Sequence, residues 1–242
     1  MRSAPLQWFE RDFDHPHYFE IYRDKIQEAT LEGPGLAAIL DLPAGSFVLD
    51  LPCGWGRLRP ALVDRGYQVV GGDLSPMNLR RHAQEFPGPV ARLDLRRLPF
   101  RDGCADGILC AYTSWGYFAA DEDNQAQLDE FARVLRPGGT LVLDLAGRDF
   151  YLRALATLSD EWYEVEGLYT ERVRLNSDGR RFLTDRIIQG TRFQHDIWIP
   201  TDQEARAALR AAGLDVEQVF GNVQGAPGNT WSERWIYRAI KP

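Results

Sequence analysis

Two glycines and three carboxylates carry the chemistry that can be read from this sequence. Gly54 and Gly56 follow a short apolar run in VLDLPCGWGR, residues 48–57, and precede a segment of helical character. A strand, a glycine turn and a helix in that order place backbone N–H groups and a helix N-terminus at the carboxyl edge of a sheet, where a polar ligand can be held. Without a Cβ at either glycine, the ligand can approach the backbone directly. Dinucleotide-binding turns add a third glycine for close helix–strand packing, and Arg59 stands at that position here, which disfavours a pyrophosphate. Asp73 ends the next apolar run, in VVGGDLSP, where a carboxylate can accept both hydroxyl protons of an adenosine ribose. Its alternative use is to cap a helix starting at Pro76. Asp94 follows a third run, in ARLDLRRLPF, and can accept from an adenine amino group while Leu74 and Leu95 enclose the ring. Otherwise it is a solvated loop acid. Asp50 lies inside the end of the first run, where an acid is costly unless it is hydrogen-bonded or close to a cation.

These residues need a scaffold, and the order of segments predicts one. Apolar runs at 47–51, 68–72, 91–93, 107–112 and 140–145 read as strands, alternating with helices at 58–65, 76–86 and 121–135. Such alternation predicts an α/β fold with a largely parallel sheet. The third helix is the clearest, because Leu128, Phe131, Ala132 and Leu135 recur at i, i+3, i+4 and i+7. Acidic residues from Asp121 suit its N-terminus, and Pro137-Gly138-Gly139 ends it. Segments 163–175 and 181–199, separated by Ser177-Asp178-Gly179, predict an antiparallel hairpin or three-stranded cover. Thr201 with Glu204 forms a capping box that opens a helix stopping at Gly213. Segments 214–220 and 231–240 then predict a terminal β-hairpin on the sheet edge.

The chain has 242 residues, 44% of them hydrophobic, with a formal net charge of −7. That length suits one elaborated domain and supports a packed core. No Lys/Arg-dense run is present, so nucleic acid is not expected as a partner. The first fifteen residues lack an apolar leader core, and no apolar run approaches the roughly 18 residues of a spanning helix, so a cytoplasmic protein without membrane contact is expected. Cys53, Cys104 and Cys110 show no C-x-x-C spacing, so neither a disulfide framework nor a metal site is expected.

The ordered set VLDLPCGWGR, VVGGDLSP, LDLRRLPF, ADGILCAYTSWGYF and RVLRPGGTLVLDL, spanning about residues 44–147, resembles the class I S-adenosylmethionine-dependent methyltransferases. DLPCGWGR with TSWGYF is most similar to bacterial small-molecule enzymes of the methyltransferase-domain type. The resemblance implies a Rossmann-like, doubly wound seven-stranded sheet with a reversed C-terminal hairpin. It implies one methyltransferase domain over 1–242: a lid or helix at 1–36, a cofactor core at 37–147, an antiparallel β insertion at 163–199, and a helix and hairpin at 200–242. It implies S-adenosylmethionine as cofactor, with Gly54 and Gly56 along the methionine moiety, Asp73 on the ribose and Asp94 near adenine. Asp50, Pro52, Cys53, Leu74, Leu95, Tyr112 and a lid residue, Tyr22, complete the expected cofactor contacts. Pro52 departs from the commoner glycine and removes an N–H from the turn.

Methyl transfer is an in-line displacement that chiefly requires the nucleophile to be held about 3 Å from the methyl group. The acceptor is expected over the end of the fourth strand, at Ser114, Trp115 and Tyr117, with Tyr18 from the N-terminal segment. Aromatic faces there can stabilise a sulfonium or an amine. Trp8, Phe9, Phe13, Tyr18, Phe19 and Tyr22 supply either a lid or a packed aromatic stripe. A base is needed only if the nucleophile arrives protonated. His195, in RFQHDIW, is the candidate general base, ahead of His15 and His17, whereas His82 is expected on a helix surface. Arg57 can pair with the cofactor carboxylate or with a surface acid. The expected activity is transfer to N or O of a small molecule by a monomer or homodimer. The alternatives are an RNA or protein methyltransferase on the same fold, or a binding protein without catalysis.

Overall fold

The computed structural model describes residues 7–17, 19, 22, 25–157 and 160–242. Among the described residues, helices α1 (Trp8–Asp12) and α2 (Lys25–Leu40) precede the core. The core runs through β1 (Phe47–Asp50), α3 (Arg59–Asp64), β2 (Gln68–Asp73), α4 (Pro76–Glu85), β3 (Val90–Arg92), β4 (Ala105–Cys110), α5 (Asp121–Val134) and β5 (Leu135–Ala146). After α6 (Arg148–Thr157) come β6 (Tyr163–Val165), β7 (Tyr169–Leu175), β8 (Arg181–Ile188) and β9 (Thr191–Trp198). The chain closes with α7 (Asp202–Ala211), β10 (Asp215–Phe220) and β11 (Arg234–Ile240).

The main sheet has the order β10-β11-β5-β4-β1-β2-β3. Strands β1 to β5 run parallel, while β11 lies antiparallel to β5 and β10 antiparallel to β11. This is the Rossmann-like sheet with a reversed C-terminal hairpin. The inner stretches of β1, β2 and β4 are largely apolar because both faces are covered. Leu49, Ile108, Leu141 and Leu143 join Leu128 and Phe131 of α5 on one face, whereas Val48, Leu109 and Val142 join Leu36, Leu40 and Leu62 on the other. Burial of each such side chain contributes about 1.5–3 kcal/mol.

The antiparallel cover has four strands, ordered β6-β7-β8-β9, rather than the two or three read from the sequence. Two turns divide the long segments. Glu166 and Gly167 adopt φ of 50° and 67°, and Gln189 and Gly190 adopt 47° and 79°. Consecutive left-handed residues make the tight reversal that matches strand twist. Helix α2 runs through the expected boundary at 36/37 and buries Leu36, Ala37 and Leu40 on the core. Helix α6 was not foreseen, and β5 begins at Leu135, where α5 ends, rather than at Thr140.

The cover is fastened to the segment after β4. Trp198 N–H donates to Gly116 O at 2.9 Å, and Arg181 donates to Phe118 O at 3.1 Å. Gly116 has φ of 109°, and a Cβ there would meet Trp198 O at 2.2 Å, so only glycine admits this approach.

Candidate active site

A cleft of about 330 Å³ opens at the carboxyl ends of β1, β2 and β4. Its floor is the turn after β1. Gly54 adopts φ of 53° and has nothing within 4 Å of the place a Cβ would occupy, so its backbone is open to a ligand. Asp73 joins this turn to the next crossover. Its Oδ2 accepts the Gly54 N–H at 2.9 Å, and its Oδ1 accepts the Ser75 N–H at 2.8 Å. Burial pushes the Asp73 carboxyl up, and the hydrogen bonds from Ser75 and Gly54 oppose that rise. Ser75 caps α4 by accepting the Asn78 N–H at 3.1 Å, so Asp73 does not serve as the cap itself.

Asp94 lines the opposite end with Leu74 and Leu95. Burial raises its carboxyl, but the Arg96 guanidinium and backbone N–H outweigh that and hold it below the usual carboxylate range. Arg96 grips both Asp94 oxygens, at 3.1 and 2.6 Å, and reaches Asp123 at 2.9 Å. Pro52, Cys53, Tyr112 and Tyr22 also line the cleft. Burial, with Asp73 and Asp50 nearby, pushes the Cys53 thiol up.

Tyr112 is aimed by strain. It and Thr113 adopt φ of 59° and 57°, a conformation that costs non-glycine residues on the order of 1–3 kcal/mol each. Asp144 on β5 holds it: Oδ2 accepts the Tyr112 N–H at 2.7 Å, and the Asp144 backbone carbonyl accepts the Thr113 N–H at 2.9 Å. Arg234 on β11 donates to both Asp144 oxygens, at 2.9 and 2.5 Å, and pairs with Glu32 at 2.6 Å. The Arg57 guanidinium lies 4.0 Å from the Tyr112 ring centroid and 5.0 Å from that of Trp55. Among the described residues it forms no ion pair, and it lines the cleft.

The fourth-strand residues divide. Ser114 and Tyr117 line the cleft, and Ser114 Oγ donates to Ala111 O at 2.8 Å. Burial, with Tyr22 nearby, pushes the Tyr117 phenol up, so it stays protonated at neutral pH. Trp115 does not line the cleft. It is fully buried in the core against Trp198, at 5.0 Å between ring centroids, and its Nε1–H donates to Asn124 O at 2.8 Å. Flanking residues cannot all face the cleft, because the segment turns through Gly116.

Asp50 and Gly56 also lie off the cleft surface. Asp50 is buried, and its pKa is pushed up to about 7, a rise that Arg57 and Arg59 partly offset. Gly56 has φ of 85°, and a Cβ would meet the His82 ring at 2.3 Å. His82 is therefore buried beneath the glycine turn, not on a helix surface. Burial and Arg59 lower its pKa.

His195 is likewise displaced from the cleft. It is buried under α1, 4.8 Å from the Trp8 ring and 5.6 Å from that of Phe13. Arg186 lies 3.1 Å from its Nδ1, so that nitrogen accepts and the proton sits on Nε2, 4.0 Å from Asp12 Oδ2. Burial and then Arg186 hold its pKa well below 6.5. Its surroundings fit a neutral packing residue. His15 and His17 stack on each other at 5.1 Å, away from the cleft lining. Tyr18 lies outside the described residues.

The sequence offered the aromatic residues of the roof as a lid or a packed stripe, but did not single out Glu10 and Asp14. Segment 7–17 spans from the cover to the core. Asp12 Oδ2 accepts the Gln194 N–H at 3.0 Å, while Asp14 Oδ1 accepts from Ser75 Oγ at 2.8 Å and from Met77 N–H at 2.9 Å. Phe9, Glu10, Phe13 and Asp14 consequently line the cleft. The aromatic stripe signalled these residues, but only tertiary contacts show which of them face the ligand.

The cleft at the sheet's carboxyl edge thus combines a glycine turn beneath, a buried acid at the end of β2, and an acid after β3 with Leu74 and Leu95. Comparisons with known proteins specify the class. Residues 49–143 match the family described as Methyltransferase domain. A Streptomyces cypemycin N-terminal methyltransferase is 29% identical over 192 residues, covering 76% of this chain and 78% of the relative. Matches to some mycobacterial relatives span about half of those proteins' own length, 47% and 43%. Among solved structures, the CcbJ methyltransferase from Streptomyces caelestis superposes with a TM-score of 0.74 at 17% identity, covering 87% of this chain and 89% of that one. An amino pentose methyltransferase from Micromonospora echinaspora, solved with S-adenosylmethionine bound, gives 0.63 at 20% identity over 100% of both chains. Residues 49–143 thus carry a methyltransferase domain, and the chain has the fold of S-adenosylmethionine-dependent methyltransferases of known structure.

Proposed function

We propose that the protein transfers the methyl group of S-adenosylmethionine to a nitrogen or oxygen of a small-molecule acceptor held under the roof of the cleft. The observation that carries this reading is the aromatic part of the cleft lining, where the rings of Phe9 and Phe13 lie 6.1 and 5.6 Å from that of Tyr117 and Ser114 lines the same cleft. A site of this size and lining suits a small ligand. The similar amino pentose methyltransferase, involved in calicheamicin biosynthesis, supports the same choice.

The residues fit the cofactor. Gly54 offers open backbone, with Pro52 and Cys53 beside it. Asp73 retains acceptor capacity for ribose hydroxyls, while Leu74, Leu95 and Asp94 suit adenine. Arg57 offers a cation for the methionine carboxylate, and Tyr112 and Tyr22 close that end. Asp50 and Gly56 act beneath the turn, through its shape and charge. When bound, S-adenosylmethionine supplies an electrophilic methyl group on a sulfonium. The chain's own work is to orient the acceptor and exclude water.

Among the described residues no helix is long and apolar enough to cross a membrane. We read the protein as cytoplasmic, acting as a monomer or homodimer. A second reading takes the amino terminus of a peptide as acceptor, which the name of the cypemycin relative favours. Transfer of tritiated methyl groups to panels of small molecules, peptides and RNA tests both. Label confined to RNA, or cofactor binding without transfer to any panel, would overturn the proposal.

A further inference from the structure

The acids lining the cleft are not equally engaged. Both oxygens of Asp73 accept backbone N–H groups, and both oxygens of Asp94 are held by Arg96. Glu10 and Asp14, on the roof, are each engaged through one oxygen. Glu10 Oε2 accepts the Gln7 N–H at 2.7 Å, and Asp14 Oδ1 takes both bonds from Ser75 and Met77. Glu10 Oε1 and Asp14 Oδ2 accept from no group among the described residues. The two acids are four residues apart and interleave with Phe9 and Phe13, whose rings lie 6.1 and 5.6 Å from that of Tyr117. Carboxylate oxygens beside aromatic faces form a receptor for a cation.

We propose that the acceptor is an amine, which enters as its ammonium ion and is recognised by Glu10 and Asp14. This deepens the methyltransferase reading of the cleft and rests on it. The chemistry of the lining agrees. It contains no histidine or lysine among the described residues. Burial keeps the phenols of Tyr112 and Tyr117 and the thiol of Cys53 protonated at neutral pH. Among the described residues the bases left on this lining are carboxylates, weak bases for the proton of an aliphatic alcohol, whereas an amine releases its proton to water and attacks as the free base. Its lone pair forms the N–C bond as the C–S bond breaks, and that electron pair stays on sulfur. Positive charge thus passes from sulfur to nitrogen, beside the two roof carboxylates, and the product leaves as a methylated ammonium ion.

The test uses the whole chain and a panel of primary and secondary arylalkylamines and amino sugars, each beside its isosteric alcohol. Methyl transfer is expected to the amines, with at least a hundred-fold preference over the alcohols. Glu10→Gln retains the acceptor for Gln7 N–H and removes the charge. It should raise KM for the amine at least ten-fold, as should Asp14→Asn, while calorimetry shows cofactor affinity changed less than three-fold. Binding of phenethylammonium, read from tryptophan fluorescence without turnover, should weaken in parallel. Transfer to the alcohols at comparable rate, transfer to none of the amines while the cofactor binds, or unchanged KM and unchanged phenethylammonium binding in both variants would overturn the amine assignment. Failure to bind S-adenosylmethionine at all would instead overturn the reading on which it rests.

Discussion

The Asp73 carboxylate accepts the backbone N–H of Gly54 at 2.9 Å, so the acid ending β2 and the glycine turn after β1 form one unit. The residue proposed to meet the ribose also sets the shape of the loop beside it. Asp73→Ala removes two hydrogen bonds to a charged group and the ribose acceptor together. Cofactor affinity should fall by about 1.5–3 kcal/mol, and isothermal titration checks it. An affinity equal to wild type would remove Asp73 from the site.

Arg57 predicts a loss confined to one end of the cofactor. Its guanidinium stacks over Tyr112 and forms no ion pair among the described residues. Arg57→Ala should weaken S-adenosylmethionine about ten- to a hundred-fold, consistent with one charge-assisted hydrogen-bonded contact. It should leave methylthioadenosine, which lacks the amino-acid end, bound as before. Equal losses for both ligands would mean that Arg57 supports the loop rather than the carboxylate.

Arg234 lies on β11, remote in sequence from the turn, yet it secures the Asp144 side chain that holds Tyr112. Arg234→Met leaves a buried carboxylate without its cation, a change that typically costs about 3–5 kcal/mol. Denaturant unfolding should report that loss. Asp144→Asn at the same time should recover part of it, because the unpaired charge is gone. If the single variant unfolds at the wild-type midpoint, the pair contributes nothing to stability.

His195 and His82 predict how stability responds to acid. Burial first, then Arg186 for His195 and Arg59 for His82, lowers both pKa values in the folded state. The unfolded chain therefore binds protons that the folded chain does not, from about pH 6.5 downward. Their contribution is complete above pH 6.5 and is lost as pH falls, by at most about 1.4 kcal/mol per pH unit for each histidine. His195→Phe should flatten the decline in a series of urea melts between pH 7 and 5. An unchanged slope would show that the imidazole is solvated. Asp50 acts in the opposite sense, because its folded pKa of about 7 makes stability fall as pH rises from about 4 to 7. Asp50→Asn in the same series separates the two.

Much of this protein is written locally. The parallel strands, their crossovers and the cofactor turn follow from apolar runs, glycines and cap residues within a few positions of one another. Strand β1, the helix start at Pro76 and the capping box at Thr201 could be placed because their signals are short-range, although the cap at Pro76 is Ser75 rather than Asp73. Asp73, Asp94 and Gly54 were legible for the same reason: each follows a strand end, and strand ends of a parallel sheet share one edge. The cover strands were harder to separate, since Gln189-Gly190 is a weaker turn signal than Asn-Gly. What no window could show was orientation. Trp115 and Tyr117 sit two residues apart on opposite sides of the cleft wall because Gly116 must meet Trp198 O from another sheet. His195 was expected as a base and lies buried off the cleft lining, because α1 covers it. Arg234 and Asp144, 90 residues apart, and Asp14 and Ser75, 61 apart, are joined only in the folded chain. Local propensity determined which elements form and where a cofactor belongs. Burial and long-range pairing decided which side chains face it and which merely hold the others in place.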